Sequence, residues 1–135
     1  MRFLLSAIIA VFAVFYPVFS YGVTWKDYGN IGDGQTTLVN YFVGEPIEVI
    51  DENTLRIWYK WEALKFGRQL VEYLEFDCKN RKVTVLQRSE IAPEKEKKDN
   101  TDIGKAKYIE PQSIYEGFSD NYCPIAKALN QTKKK

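Results

Sequence analysis

Histidine is absent from all 135 residues. Without it no Ser/His/Asp or Cys/His nucleophilic site can be assembled, and a metal site loses its commonest ligand. Cysteine occurs twice, at Cys78 and Cys123, too sparsely for a Cys-x-x-Cys redox pair. No cysteine stands near the end of the apolar N-terminal run, so a lipoprotein anchor is not indicated. Clustered positive charge is scarce as well. The one basic run is Lys133-Lys134-Lys135, and a nucleic-acid binder would carry a concentrated basic excess. No internal repeat is visible, and the spaced glycines of Asn30-Ile31-Gly32-Asp33-Gly34 match no phosphate-binding loop.

What is present begins with an export pattern. Arg2 supplies a minimal positive n-region, and Phe3 to Phe19 is almost wholly apolar. Two small-residue frames follow, Val18-Phe19-Ser20 and Ser20-Tyr21-Gly22, placing cleavage after Ser20 or Gly22. Residues 1–20 therefore read as a signal peptide; a retained anchor is the alternative, since about seventeen apolar residues lie at the lower edge of what spans a bilayer. Residues 1–20 hold one basic and no acidic residue, so their loss turns 19 basic against 18 acidic into 18 against 18. The chain without residues 1–20 is electrically balanced, and its domain, residues 21–129, is of a size for one core. Residues 130–135 read as a basic, disordered tail. In an oxidising compartment Cys78 and Cys123 are expected to form a disulfide.

Period-two patterning dominates the domain. Thr54 to Glu62 (TLRIWYKWE) alternates strictly, with Leu55, Ile57, Tyr59 and Trp61 on one face and Arg56, Trp58, Lys60 and Glu62 on the other. Residues 69–77 and 81–91 give two further strands of a meander. Leu70, Leu74 and Phe76 share a parity with Cys78, which puts the cysteine on the more apolar face. Upstream, 36–43 and 47–50 read as two strands separated by Gly44-Glu45-Pro46, while Asn30 to Gly34 reads as loop. Residues 94–107 hold five Lys, four acidic residues and one large apolar side chain, Ile103, an exposed charged loop.

Lys107 to Glu110 then returns as an edge strand. Ser113-x-x-Glu116 is a capping box that starts a helix, with Ile114, Tyr115, Phe118 and Tyr122 on one side. Pro124 is expected to end it, leaving 125–129 as a separate turn or short helix. The fold class that follows is α+β, an antiparallel sheet of about six strands with a C-terminal helix packed on one face and pinned by one disulfide. Parity alone does not say which face the helix covers.

An export signal followed by Trp25, then Trp58, Asp77-Cys78, Pro111-Gln112-Ser113 and Cys123, resembles the surface-adhesin E family of bacterial exported proteins. The resemblance spans most of residues 25–124. It implies the same sheet, helix and disulfide, and binding of extracellular-matrix or serum proteins. Gly44 and Pro46 replace an Asp and a Ser of the family, and Tyr108 replaces a Trp.

The expectation is thus a non-catalytic binding protein of the periplasm or cell surface. Its partner would be a protein or extracellular ligand, with no nucleic acid, no cofactor, no metal and no membrane span after signal cleavage. A large aromatic among cations suits such a contact, so Trp58, Trp61, Arg56 and Lys60, together with the 92–107 loop, are the candidate binding residues. A periplasmic accessory subunit or enzyme inhibitor is the alternative. An enzyme would need a converging carboxylate pair, and sequence neighbours such as Glu72 and Glu75 or Asp51 and Glu52 do not provide one on a single strand face.

Overall fold

The computed structural model describes residues 22–31, 39–93 and 99–133. The signal-peptide reading of residues 1–20 and its two cleavage frames lie essentially outside that range, as do 32–38, 94–98 and the last two lysines. Six strands follow one another in the sheet in chain order, each antiparallel to the next. They are β1 (Thr24–Ile31), β2 (Val39–Asp51), β3 (Thr54–Ala63), β4 (Arg68–Asp77), β5 (Lys82–Ile91) and β6 (Lys107–Tyr108). One helix, α1 (Ile114–Lys133), follows them.

The number of strands agrees with the sequence reading, but two of its elements do not. Strand β1 was not expected, because Asp27, Gly29 and Asn30 are poor strand formers. It forms around a bulge: Asp27 Oδ1 accepts the Gly29 N–H at 2.9 Å, and the register with β2 slips between the two residues. Gly29 sits at φ 150°, a conformation that an L side chain rarely adopts. The bulge carries Tyr28 beneath the helix, edge-to-face with Phe118 at 4.9 Å. In turn, the two expected strands 36–43 and 47–50 are one strand in the described range. Gly44-Glu45-Pro46 does not end β2; a register irregularity between Gly44 and Glu48 lets the strand pass a proline that has no N–H to donate. Gly44 is required for closeness. A Cβ there would collide with Val23 and come within 2.8 Å of the Trp58 Cβ.

The strict alternation of β3 has the expected result: Leu55, Ile57 and Tyr59 are buried, as are Leu70, Leu74 and Phe76 of β4 and Val83 and Val85 of β5. Helix α1 closes this face with Phe118 and Ala126, both 0% exposed, and with Tyr115 and Tyr122 at its margins. Full burial of each large apolar side chain contributes about 1.5–3 kcal/mol. The helix-covered face is therefore the one holding Leu55, Ile57 and Tyr59, which decides what parity left open.

The helix start matches the capping signal with one change. Ser113 Oγ accepts the Glu116 N–H at 3.3 Å, but the Glu116 carboxylate accepts from the Gln112 N–H rather than from Ser113. Its end differs more. Pro124 lies inside α1, and the helix continues to Lys133, so 125–129 is no separate element and residues 130–133 are helical rather than part of a tail. Proline forgoes one intrahelical bond, to the Asp120 carbonyl. Both residues are exposed, so that carbonyl is on the solvent side. Burial of Ala126 two residues on, and the covalent hold of Cys123, outweigh the lost bond. The Cys78–Cys123 disulfide is formed and ties the end of β4 to the middle of α1.

Candidate functional site: the helix-free face of the sheet

Because α1 occupies one side, the side chains of opposite parity form the other. Across β1 to β4 these include Trp25, Phe42, Trp58 and Tyr73, all half-buried. The register sets them side by side: Trp25 is opposite Gly44, Gly44 opposite Trp58, and Trp58 opposite Tyr73. Gly44, lacking a side chain, lets the aromatic row pass over β2. The Trp58 and Tyr73 rings stack with centroids 4.6 Å apart and 18° between planes.

Charges are threaded through the row in pairs. Arg56 donates through Nε to Glu75 Oε2 at 2.9 Å, and the Tyr73 hydroxyl donates to Glu48 Oε2 at 2.6 Å. Glu48, Arg56 and Glu75 are direct cross-strand neighbours. The hydrogen bond to Glu75, with a second to Tyr73, raises the Arg56 pKa above its ordinary value; burial and then the bond to Glu48 push the Tyr73 phenol up. Lys60 is held differently. Its Nζ lies 4.7 Å from the ring centroids of both Trp25 and Phe42 and 3.1 Å from Glu62, and its side chain is only 14% exposed. An ammonium between two ring faces is a cation–π arrangement that also fixes both rings.

The four sequence-predicted residues are therefore divided. Arg56, Trp58 and Lys60 share the helix-free face. Trp61 does not: it pairs with Tyr41, packs against the core on the helix side and has the Arg68 guanidinium 5.6 Å from its ring. Trp25, Phe42 and Tyr73 are members of the row that sequence reasoning did not name. Trp25 could be placed only once β1 was known; the parity of Phe42 and Tyr73 was readable in strands 36–43 and 69–77, but not that their side was the helix-free one.

Glu72 and Glu75 face opposite sides of the sheet, as their spacing implied, and Glu72 leads to a cluster that was not foreseen. It is 0% exposed on the helix side. Arg88, 4% exposed, donates Nε to Glu72 Oε2 at 2.9 Å, and the Tyr115 hydroxyl donates to Glu72 Oε1 at 2.8 Å. Arg88 also makes a two-pronged contact with Asp102, at 2.8 and 2.9 Å, and reaches the Asp99 carbonyl at 3.2 Å. One guanidinium thus fastens the 99–104 part of the charged loop to the sheet. A one-residue slip between β4 and β5 makes this geometry: Tyr73 pairs with Gln87 but Leu74 with Val85, so beyond Leu86 the parity of β5 reverses and Arg88 points inward opposite Glu72.

Burial pushes the Tyr115 hydroxyl well above the usual phenol range, with Glu72 adding to it. The Arg88 hydrogen bonds hold Asp102 at about 2, against burial, which acts to raise it. Unfolded Asp titrates near 3.9. The sign follows from a depressed folded-state pKa: the contribution of Asp102 is complete above about pH 4 and is lost as the pH falls toward 2. Melting temperatures of the native protein and Asp102→Asn are expected to differ at pH 5 and to converge near pH 2. A constant difference across that window would place the latch elsewhere.

Among the described residues no helix is long and apolar enough to cross a membrane. No family model, no curated protein and no solved structure matches the chain.

Proposed function

We propose that this chain is an exported, non-catalytic binding protein of the surface-adhesin E kind, which engages another protein or an extracellular ligand through the helix-free face of its sheet. The observation that carries the reading is the row Trp25, Phe42, Trp58 and Tyr73, with Lys60 and Arg56 set between, on the face opposite α1. Rigid aromatic rings and a planar guanidinium are the groups that concentrate binding energy at interfaces. Here cross-strand register, ring stacking and paired charges fix them in advance, which lowers the entropy lost on contact. The apolar N-terminal run and the disulfide support export to the periplasm or cell surface.

The test uses the division between the two tryptophans. The disulfide-bonded protein is immobilised and exposed to an envelope extract and, separately, to matrix and serum proteins. For whatever it retains, Trp58→Ala is expected to weaken binding roughly tenfold or more, in the range of interface anchors, whereas Trp61→Ala leaves it within about twofold. Loss with Trp61→Ala alone would move the site to the other side of the sheet. Retention of one dominant envelope protein through the 99–104 turn, with Trp58→Ala silent, would favour the accessory-subunit or inhibitor reading, for which the Arg88 latch supplies a rigid base.

A further inference from the structure

The sheet ends at β6, and the outer side of that strand has two properties that act together. Strand β6 pairs with β5 through Lys82 opposite Tyr108 and Val83 opposite Lys107. The Ile109 N–H donates to the Arg81 carbonyl at 3.0 Å, which makes 81 and 109 a hydrogen-bonded pair. Antiparallel ladders alternate, so at the next position the N–H and C=O of Tyr108 turn away from β5, toward the outside. No strand lies beyond β6 among the described residues, and Tyr108 is 72% exposed. The outer edge is short, but its main chain is open.

The second property is charge. Lys82 is opposite Tyr108 and Lys107 precedes it, with Lys79 three residues before Lys82 and Lys105 two before Lys107 in the chain. Lys82 Nζ lies 4.8 Å from the Tyr108 ring, and Lys107 Nζ lies 5.6 Å from the Tyr115 ring. Arg81 is already engaged by Glu116 at 3.6 Å and Asp120 at 3.9 Å. Lys82 stands opposite Asp77 in the β4–β5 ladder, and Lys107 bears on the Asp102 carboxylate that Arg88 holds. Asp77 also accepts hydrogen bonds from Asn80, and Glu110 stands two residues past the strand. By register Lys82 is on the helix-free side of the edge and Lys107 on the helix side. A strand laid along β6 sends alternate side chains to the two sides, and on either side it meets a lysine.

We propose that the outer edge of β6 is a docking site for an extended acidic peptide segment of a partner protein, added as a further strand of the sheet. The lysines select carboxylates, the outward N–H and C=O of Tyr108 select a peptide main chain over other polyanions, and the exposed Tyr108 ring gives the added strand an apolar contact. This site is separate from the aromatic row of the helix-free face.

The experiment uses the disulfide-bonded protein with a fluorescent ten-residue peptide of alternating Glu and Val, a Lys/Val counterpart and a heparin oligosaccharide as probes. Binding is read by anisotropy at low and high salt, and the Tyr108 amide by hydrogen exchange. The Glu/Val peptide is expected to bind, more weakly at high salt, and to protect the Tyr108 amide, while the Lys/Val peptide does not bind. Lys105→Glu with Lys107→Glu, and separately Tyr108→Pro, are each expected to reduce affinity roughly tenfold. The proline removes an N–H that no internal bond uses, so the fold is retained, and Tyr108→Ala measures the ring alone. The proposal is overturned if the Glu/Val peptide does not bind, or if Tyr108→Pro binds it no less well than Tyr108→Ala. Heparin binding with an unprotected Tyr108 amide, and no protection by the peptide, would identify a general polyanion patch and overturn strand addition.

Discussion

Replacing Arg88 by Ala is expected to destabilise the domain by about 3–5 kcal/mol, the range for breaking a buried pair by removing one partner. Glu72 would keep the Tyr115 hydroxyl but lose the Arg88 guanidinium while remaining 0% exposed, and Asp102 would lose both prongs of its contact. Because whole-domain stability is about 5–15 kcal/mol, such a loss is a large fraction of it. Urea unfolding of Arg88→Ala checks the size. A cost under about 1 kcal/mol would mean that water reaches Glu72 in the variant. The double change Glu72→Leu with Arg88→Met is informative in the other direction. A buried ion pair can often be exchanged for apolar groups of similar volume at little cost, so the double variant is expected to be much closer to the native protein than Arg88→Ala. Its 99–104 turn, no longer held by Arg88, should exchange its amides faster. That outcome would assign the cluster the role of placing the loop, not of adding net stability.

The second large effect concerns the bridge between β4 and α1. Cys78 and Cys123 are 45 residues apart. Closing a loop of that size stabilises by about 4 kcal/mol in the chain-entropy model. Cys78→Ser with Cys123→Ser, or reduction of the native protein, is expected to lower the stability by about that amount and the melting temperature by well over ten degrees. The loss should not be uniform. Phe118 and Ala126 are the buried apolar residues of the helix, and Cys123 lies between them in sequence. Without it, hydrogen exchange should accelerate in α1 before it does in β3 and β4, whose pairing runs unbroken from Thr54–Asp77 to Ala63–Arg68. Simultaneous loss of protection in helix and sheet would show that α1 and the sheet open as one cooperative unit.

Much of the fold was legible because local rules and burial coincide. Thr54 to Glu62 alternates without exception, and one face of it is the core. Asp77-Cys78 ends β4, and the Ser113 cap and its Glu116 mark the helix start to within a residue. Where reading failed, a backbone irregularity had changed the rule. Pro46 in an extended run reads as a stop, yet the bulge after Gly44 carries β2 past it. Pro124 reads as the end of a helix, yet packing and the disulfide carry α1 through it. In β1, a segment to which the sequence assigned no element, Asp27 and Gly29 form the bulge that brings Tyr28 to Phe118.

The candidate surfaces divide in the same way. The sequence by itself determined that Arg56, Trp58 and Lys60 share one side of a strand and Trp61 the other, because a period of two leaves no choice. It also determined the cysteine pair, the sheet-plus-helix class and the absence of histidine chemistry. Only the tertiary structure decided which side α1 covers, since both faces of β3 carry aromatics and either could have been core. It also decided that Arg88 faces Glu72. A single unpaired residue at Leu86 reverses the parity of β5, and register between strands, unlike alternation within one, is fixed by contacts distant in sequence.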